Sequence, residues 1–496
     1  MRRDRDPSLM LRSARAALAS LSVSAESPFV GADLNAKLAV GGSEGDVAAR
    51  FAFWESRAPG TRVGDDRYRW EISHKRCRPA PHVPPVDRWA PFRLDVEPDP
   101  ARMELRLSLP ISIAENAEYL ARVGERHPAL RAHARALLDE ALPLFRRDLA
   151  QYVLGTHPWT DTFALFALVR RPRALEELRP LAIALASVYA SALSDDRVLG
   201  LRFPFADTPL ASATAQLAWG LLRLGLEVPR LSGMVRAVAS MRRASGAWGD
   251  GDAPDDVLVT LPCLELLSRV DPSFDSAPTL AWLLSRQTPS GFFSVLGPEA
   301  PWLTRAIVEL AEDLAQPFAH RFRWPQIPAA NLDRKTGLPF YAYFDDLARL
   351  MSELDGLRDV TTEVAFIDLA RFREFNNRFG QDMGDLVLAH FAEALRELPA
   401  AAVVRDGGDE MLVIGAPTRG GLASDLDAWR RAWPERFRAR FGDEAPPVAP
   451  RILVAKTPGR GLRETRERLG QSVGALKQKS KDVGPEGALD ELPPST

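Results

Sequence analysis

Acidic residues cluster at two places in the C-terminal part of the chain, each beside a short apolar segment. Asp368 ends the apolar run VAFID, and Asp409 and Glu410 follow the pair Gly407-Gly408 in RDGGDEMLVI. Mg²⁺ prefers hard oxygen ligands and binds through one or two carboxylates that leave positions for phosphate oxygens. The two clusters therefore predict a divalent-cation site that handles nucleotide phosphates, with Asp368 and Asp409 as ligands.

Two strands, a helix and a hairpin are predicted to position these acids. Residues 364–367 read as a strand that ends at Asp368, and apolar residues at helical spacing follow over residues 387–398. Residues 401–404 and 412–414 read as the two strands of a β-hairpin. The glycine pair at its tip predicts positive φ angles in a primed turn, and the missing Cβ atoms would let a phosphate approach the backbone closely.

This part of the chain resembles the GGDEF domain, the catalytic module of diguanylate cyclases. The signature of the family stands here as GGDEM over residues 407–411. The family's D-x-D-x-F-K-x-x-N-D-x-x-G-H-x-x-G-D run appears as DLARFREFNNRFGQDMGD over residues 368–385. Two motifs in the expected order and at the expected separation make this resemblance specific. Weaker similarity at DRKTGLP and ALKQKSKDVG extends it to residues 331–487.

The resemblance implies how the cation and the reacting groups are held. Asp368 and Asp409, with the carbonyl of Leu369, would coordinate Mg²⁺ or Mn²⁺, and Glu410 would activate or position the ribose 3′-hydroxyl. The catalytic residues implied in this way are Gly407, Gly408, Asp409 and Glu410.

The resemblance also implies how GTP is bound. Asn376 and Asp385 would hydrogen-bond the guanine edge, and Arg373, where the family usually has Lys, would contact phosphate. Phe372 belongs to the same nucleotide-binding segment. One domain carries half a site, so a homodimer formed through two such domains would join two GTP molecules into cyclic di-GMP.

Several positions depart from the family pattern. Ala370 replaces the second Asp, Gln381 replaces the His, and Met411 replaces the final Phe. Residues 340–341 are Phe-Tyr instead of Asn-Arg, and the strand at 451–458 lacks the Ser-x-Gly of the family. Two interpretations stay open: a working diguanylate cyclase, and a degenerate GGDEF protein that binds GTP or a cyclic dinucleotide as an effector or scaffold.

Residues 111–327 read as an all-α array of helical hairpins with an internal repeat. VRAVASMRRASGAWGD and LAWLLSRQTPSGFFSV place Gly246 and Gly291 at matching positions, 45 residues apart. The repeat resembles the Q-W motifs of terpene cyclases and the α/α toroid of prenyltransferases. The D-x-D-D acid cluster that such cyclases need is missing before Thr214, so the expected role is sensing or binding.

Aromatic residues and an acidic loop in this segment each allow two interpretations. The aromatic side chains would line a cavity for an apolar small molecule or, as helical spacing favours, form the core: Trp219, Trp248, Trp282, Phe292, Phe293 and Trp302. The acidic loop GDGDAPDD, residues 249–256, lacks the EF-hand frame, which favours a helix-capping loop over a calcium site.

Composition limits the classes of partner. Among 496 residues, 64 Lys and Arg nearly balance 66 Asp and Glu, so no overall field favours nucleic acid or an anionic membrane. Two cysteines, no apolar run of transmembrane length and no signal-peptide pattern predict a cytoplasmic location.

The predicted fold is multidomain. A helical and small β region of unknown role at 1–110 precedes an all-α, toroid-like domain at 111–327. An α+β GGDEF domain of the palm or nucleotide-cyclase type follows at 331–487, with a disordered tail at 488–496.

Overall fold

The computed structural model describes ten stretches of the chain: residues 7–21, 162, 165–166, 168–170, 172–191, 209–226, 228–294, 299–322, 325–479 and 487–493. The helices predicted over 114–124 and 128–154 lie outside the described residues. So does the strand predicted over 103–111 and part of the ALKQKSKDVG motif.

The chain divides into two compact units. The first comprises Met1–Leu267 and Asp275–Ala315, and the second comprises Ser268–Phe274 and Gln316–Thr496. The second unit thus begins several residues before the predicted boundary and includes a short segment that the sequence pattern assigned to the helical array. None of the described helices combines the length and the apolar character needed to cross a bilayer.

Seven helices are described in the first unit and at its junction with the second. Their bounds are α1 Pro7–Ala19, α2 Pro172–Ser191, α3 Ala211–Leu224, α4 Val228–Ser240, α5 Val257–Val270, α6 Ala277–Ser285 and α7 Pro301–Leu314. The helices predicted over 7–21, 174–193, 212–224, 232–243, 255–269, 278–286 and 301–314 are confirmed to within about a turn at each end. Amphipathic spacing therefore predicted this part correctly.

The two copies of the repeat make the same turn. The Gly246 N–H donates to the Arg243 carbonyl at 2.9 Å, and the Gly291 N–H donates to the Thr288 carbonyl at 3.0 Å. Both glycines have positive φ, 85° and 95°. The repeat is therefore present in the structure as well as in the sequence. The closure of the helical array into a toroid stays a prediction.

Each repeat then anchors its aromatic residue on the following helix. The Trp248 N–H donates to Thr260 Oγ1 at 3.1 Å, and the Phe293 N–H donates to Thr304 Oγ1 at 2.9 Å. Trp219, Trp248 and Phe293 are almost completely buried, and the Trp248 indole N–H donates to the Val238 carbonyl at 2.7 Å. These contacts are those of core residues.

The acidic loop caps two helices. Asp250 is buried and accepts hydrogen bonds from the hydroxyl and the N–H of Ser212, in the first turn of α3. Asp256 accepts from the N–H of Leu258, in the first turn of α5, at 2.7 Å. Free N–H groups in the first turn of a helix are satisfied by such acceptors, so this loop stabilises the starts of α3 and α5.

The second unit contains a five-stranded sheet in the order β2-β3-β1-β4-β5. The strands are β1 Thr361–Leu369, β2 Ala400–Arg405, β3 Glu410–Gly415, β4 Pro450–Pro458 and β5 Ala488–Glu491. Its described helices are α8 Phe318–Arg321, α9 Tyr341–Glu353, α10 Asp355–Arg358, α11 Phe372–Phe379, α12 Gln381–Arg396, α13 Leu422–Phe441 and α14 Leu462–Lys479. The strand, helix and hairpin predicted around the acidic clusters are confirmed as β1, α12 and β2-β3.

The two faces of the sheet pack against different helices. Ala365, Ile367 and Leu369 on β1 join a core with side chains of α11, α12 and α13. The alternate residues of β1 face the other side, where α14 contacts β1 and β4. Asp368 belongs to this second set, at the end of the strand.

The predicted disordered tail is wrong for residues 488–491. They form β5, which pairs in parallel with β4 through Arg451 opposite Ala488 and Val454 opposite Glu491. A four-residue strand with two acidic residues has no distinctive sequence pattern. Its extended conformation is instead stabilised by pairing to β4.

Candidate active site

Three charged residues form a row across the central strands. Asp368 on β1 lies directly opposite Glu410 on β3 and opposite Arg451 on β4, and both pairings are antiparallel. Side chains of directly opposed residues project from the same face of a sheet. Asp368 is only 2% exposed, and its Oδ2 lies 3.1 Å from Nη1 of Arg451. Asp368 at the end of β1 and Glu410 at the start of β3 are therefore neighbours. The pairing of Asp368 with Asp409 as cation ligands stays a prediction.

The hairpin tip has a conformation different from the predicted primed turn. β2 ends at Arg405 and β3 begins at Glu410, so the loop is longer than two residues. The N–H groups of Asp406 and Gly407 both donate to the Glu410 carbonyl, at 2.9 and 3.2 Å. Neither Gly407 nor Gly408 has positive φ. The predicted positive φ is wrong because a loop of this length closes without the left-handed residues that a two-residue hairpin needs.

The glycines at the tip instead provide space. A Cβ on Gly407 would lie 2.8 Å from Oε2 of Glu410, whereas a Cβ on Gly408 would meet nothing within 4 Å. Gly407 thus allows the Glu410 carboxylate to fold back over the turn. Gly408 is exposed and leaves that side of the tip open to a ligand.

Arg405 stabilises the hairpin tip through hydrogen bonds to its backbone. Its Nε donates to the Gly407 carbonyl at 3.1 Å, and its Nη2 donates to the Gly408 carbonyl at 2.7 Å. Its Nη1 donates to Asp333, which also accepts from the N–H and hydroxyl of Thr336 at 2.9 and 2.7 Å. The DRKTGLP segment therefore positions the glycine pair through Arg405.

The protonation state of Asp333 is coupled to this support. Burial raises the pKa of Asp333, but hydrogen bonds from Thr336 and the charge of Arg405 more than offset it and bring the pKa below its usual value. Since the pKa is lower in the folded state, ionised Asp333 stabilises the fold above its unfolded pKa, about 3.9. This contribution is lost as the pH falls through the folded pKa.

Replacing Asp333 by asparagine is expected to lower the free energy of unfolding by about 1.5–3 kcal/mol at neutral pH, because charge-assisted hydrogen bonds are lost. The deficit should shrink as the pH falls below about 4, where the wild type loses the same charge. Urea unfolding of the wild type and the variant at about pH 7 and about pH 3 measures this difference in the free energy of unfolding. Asp443→Asn, at a side chain 93% exposed, is the control. A deficit independent of pH would contradict this account.

A second arginine, Arg466, binds Asp406, the first residue of the loop at the hairpin tip. Arg466 on α14 donates to both carboxylate oxygens of Asp406, at 3.3 and 2.5 Å, and lies 4.7 Å over the ring of Tyr341. Burial lowers the pKa of Arg466, but the hydrogen bond and charge of Asp406 raise it above its usual value. Arg405 and Arg466 thus both support the tip.

Asn376 on α11 lies against Gly384 on α12, the residue before Asp385. A Cβ on Gly384 would lie 1.8 Å from Oδ1 of Asn376, so only glycine at 384 leaves room for this side chain. Oδ1 of Asn376 is buried and has no hydrogen-bond partner among the described residues. Such an acceptor is costly unless a donor reaches it. The N–H groups of a guanine edge would supply one.

The predicted guanine-binding acid already has a cationic partner. Asp385 and Lys335 form an ion pair at 2.8 Å, with side chains 37% and 53% exposed. Lys335 occupies the position of Leu in the family's D-x-L-T-G-L-P motif. The carboxylate remains accessible, but a base must share it with Lys335 or displace that residue.

The remaining predicted site residues have different environments. The Arg373 side chain on α11 is exposed to solvent. Phe372 is buried and stacks on Phe375 with a centroid distance of 6.4 Å, which is a packing role. Leu369 ends β1 with its side chain in the core, so only its backbone is suited to binding an ion.

The donor set fits a divalent cation in type. Asp368 and Asp409 would supply carboxylates, and Leu369 would supply a backbone oxygen. Within the described ranges, no group of three or more His, Cys, Asp or Glu side chains gathers around a point. Mg²⁺ is commonly held by one or two carboxylates plus substrate phosphates, so such a cage is not required.

Comparison with known families decides what this part of the chain is. The family described as "Diguanylate cyclase, GGDEF domain" matches residues 330–429. These residues form a GGDEF domain. The match begins at the 3₁₀ turn before DRKTGLP and ends in α13, so it includes β1, the hairpin and the α11-α12 pair.

Curated relatives of the GGDEF domain are diguanylate cyclases. TpbB of Pseudomonas aeruginosa is 40% identical over 106 residues, which are 21% of this chain and 23% of TpbB. DgcP of Escherichia coli is 35% identical over 118 residues, 23% of this chain and 33% of DgcP. The chain therefore matches a third or less of the length of these relatives.

Two solved structures each match about a third of this chain. The GGDEF domain of DgcB from Caulobacter crescentus, in complex with c-di-GMP, is 23% identical and covers 33% of this chain and 95% of that one, with a TM-score of 0.29. SiaD from Pseudomonas aeruginosa, in complex with its activator SiaC, is 24% identical and covers 33% and 62%, with a TM-score of 0.28.

Sequence reasoning missed the cationic residues of the site. Arg405, Arg466, Lys335 and Arg451 each pair with an acid of the motifs or hold the turn between them. The only sequence signal was position: Arg405 directly precedes Asp406 and the glycine pair, and Lys335 stands where the family motif D-x-L-T-G-L-P has Leu.

Proposed function

We propose that the GGDEF domain is a diguanylate cyclase that condenses two GTP molecules into cyclic di-GMP and two pyrophosphates. The observation that carries the proposal is the direct pairing of Asp368 with Glu410 beside an open glycine tip. In this pairing a buried acid and a half-buried acid lie at the same end of the central strands β1 and β3, next to an accessible backbone. The 40% identity to TpbB over the same domain supports the reaction class.

The residues of the site divide the work of the reaction. Glu410 would accept the proton of the ribose 3′-hydroxyl as that oxygen attacks the α-phosphate of the facing GTP. Gly408 leaves the tip open for the triphosphate, and Asn376 with Asp385 would hold the guanine. Bound Mg²⁺, held by Asp368 and Asp409, would offset the charge of the triphosphate. Two facing copies are needed, because each supplies one nucleotide in the correct orientation.

The test is product analysis by mass spectrometry after the full chain is incubated with GTP and Mg²⁺. We expect cyclic di-GMP and pyrophosphate from the wild type. Asp409→Ala should form none, and Glu410→Gln should lose about a hundredfold or more of the rate, since a positioned base contributes at least that much. A wild type that binds GTP as a dimer but forms no product would refute the cyclase.

The second candidate is a degenerate GGDEF domain that binds GTP or a cyclic dinucleotide as an effector. Two ion pairs favour it, because Lys335 engages the guanine-binding acid and Arg451 engages the acid proposed to hold the metal. This candidate predicts nucleotide binding without turnover, which the same experiment distinguishes.

Replacing Lys335 by leucine, the residue usual in the family at this position, is expected to tighten GTP binding up to about fivefold, because an exposed ion pair contributes about 1 kcal/mol or less. Titration with a fluorescent GTP analogue measures the affinity. Arg334→Ala removes a neighbouring exposed cation and is the control. Weaker binding by Lys335→Leu would instead show that the ammonium group contacts the nucleotide.

We further propose that the helical unit regulates the cyclase. The matching hydrogen bonds at Gly246 and Gly291 support a repeat in which a helix ends in a turn that contains a glycine. An apolar small molecule remains the proposed ligand and the cytoplasm the proposed location, since the cyclase consumes GTP. Product rates of the full chain with and without added isoprenoids test the ligand.

A further inference from the structure

The ion pair between Asp368 and Arg451 is buried. The two side chains are 3% and 9% exposed, and Arg451 Nη1 donates to Asp368 Oδ2 at 3.1 Å. Both residues lie on central strands of the sheet, in a fixed register that places one directly opposite the other. The guanidinium group is therefore held beside Asp368 by the backbone.

This arrangement places a positive charge where a divalent cation would need the same carboxylate. Arg451 donates to Oδ2 of Asp368, and its charge repels an incoming cation at short range in a poorly hydrated region. The row across the strands is Glu410, Asp368, Arg451, so the arginine also offsets the repulsion between the two acids. Without it, two neighbouring carboxylates would attract a cation.

We propose that Arg451 is a built-in counter-ion of Asp368 that competes with the divalent cation and lowers its affinity. The inference rests on the proposed cyclase site only in taking Asp368 as a metal ligand. A triphosphate offers Arg451 another anionic partner, with which guanidinium forms bidentate hydrogen bonds. The site thus favours the metal and the nucleotide arriving together.

Mn²⁺ binding to the full chain, followed by electron paramagnetic resonance without nucleotide, tests this directly. Arg451→Met removes the charge and keeps an apolar stem, and Arg451→Gln keeps a hydrogen bond to Asp368 without charge. Both should bind Mn²⁺ about tenfold or more tightly than the wild type. Arg460→Met, which breaks an exposed pair with Asp359, is the matched control and should leave the affinity unchanged.

A second replacement identifies the ligand. Adding Asp368→Asn to Arg451→Met should abolish the gain in Mn²⁺ affinity, because the freed carboxylate is then missing. A gain that survives this replacement would place the new Mn²⁺ site elsewhere and overturn the proposal. So would unchanged affinity in both single variants when circular dichroism shows that they are folded.

Folding is controlled by recording circular dichroism with and without Mn²⁺. A variant that folds only with Mn²⁺ supports the proposal, since the metal then replaces the guanidinium group. Variants that stay unfolded with Mn²⁺ present overturn it. Product analysis keeps the two hypotheses apart: tighter Mn²⁺ binding without cyclic di-GMP supports the counter-ion and removes the cyclase. Unchanged Mn²⁺ affinity in the variants, with cyclic di-GMP formed by the wild type, overturns the counter-ion and supports the cyclase.

Discussion

Replacing Asp368 by alanine is expected to lower the free energy of unfolding of the C-terminal domain by about 3–5 kcal/mol, because the buried guanidinium group of Arg451 loses its partner. An uncompensated charge in a poorly hydrated interior costs more than the ion pair contributes. Urea unfolding of the full chain measures the loss. Hydrogen exchange of peptides from β1 and β4 assigns it to this domain.

A double replacement separates the lost partner from the lost side chain. Asp368→Leu with Arg451→Met removes both charges and should recover most of the stability, since buried pairs replaced by apolar residues are often neutral. Asp359→Ala breaks an exposed pair with Arg460 and should cost less than about 1 kcal/mol. If Asp368→Ala were no more harmful than Asp359→Ala, the central pair would be solvated and its proposed effect on the metal would fail too.

Local periodicity predicted the elements of the site because each is encoded over a few residues. The apolar run before Asp368 forms β1, and the helical spacing after residue 386 forms α12. The hairpin was also predicted, but its turn type was not. The number of residues in the loop and the bonds from Arg405 determine the turn, and neither follows from the glycine pair.

The ion pairs of the site were not predictable from local pattern. Arg451 lies 83 residues from Asp368, and Lys335 lies 50 residues from Asp385. Their contacts depend on strand order and register, which single-sequence periodicity does not determine. The same limit explains β5, whose order comes from pairing to β4. Motif residues indicated which acids matter, and the fold determines which cations meet them.

The core beside the proposed guanine-binding residues includes Trp433. This side chain is fully buried in α13, and its ring lies 4.9 Å from Phe391 and 5.8 Å from Phe437. Its indole N–H donates to the Val448 carbonyl at 2.8 Å. Phe391 belongs to α12, the helix that carries Asp385, so this cluster connects the core to the proposed base site.

Trp433→Ala is expected to lower the free energy of unfolding by about 3–5 kcal/mol, because it leaves a large cavity and an unpaired carbonyl at Val448. Trp433→Phe keeps most of the apolar volume and should cost less. Urea unfolding ranks the two, and titration with a fluorescent GTP analogue shows whether loosening α12 weakens the base site. Equal stability of the two variants would mean that the cluster collapses around the cavity. Unchanged GTP affinity in a destabilised Trp433→Ala would separate the base site from this core.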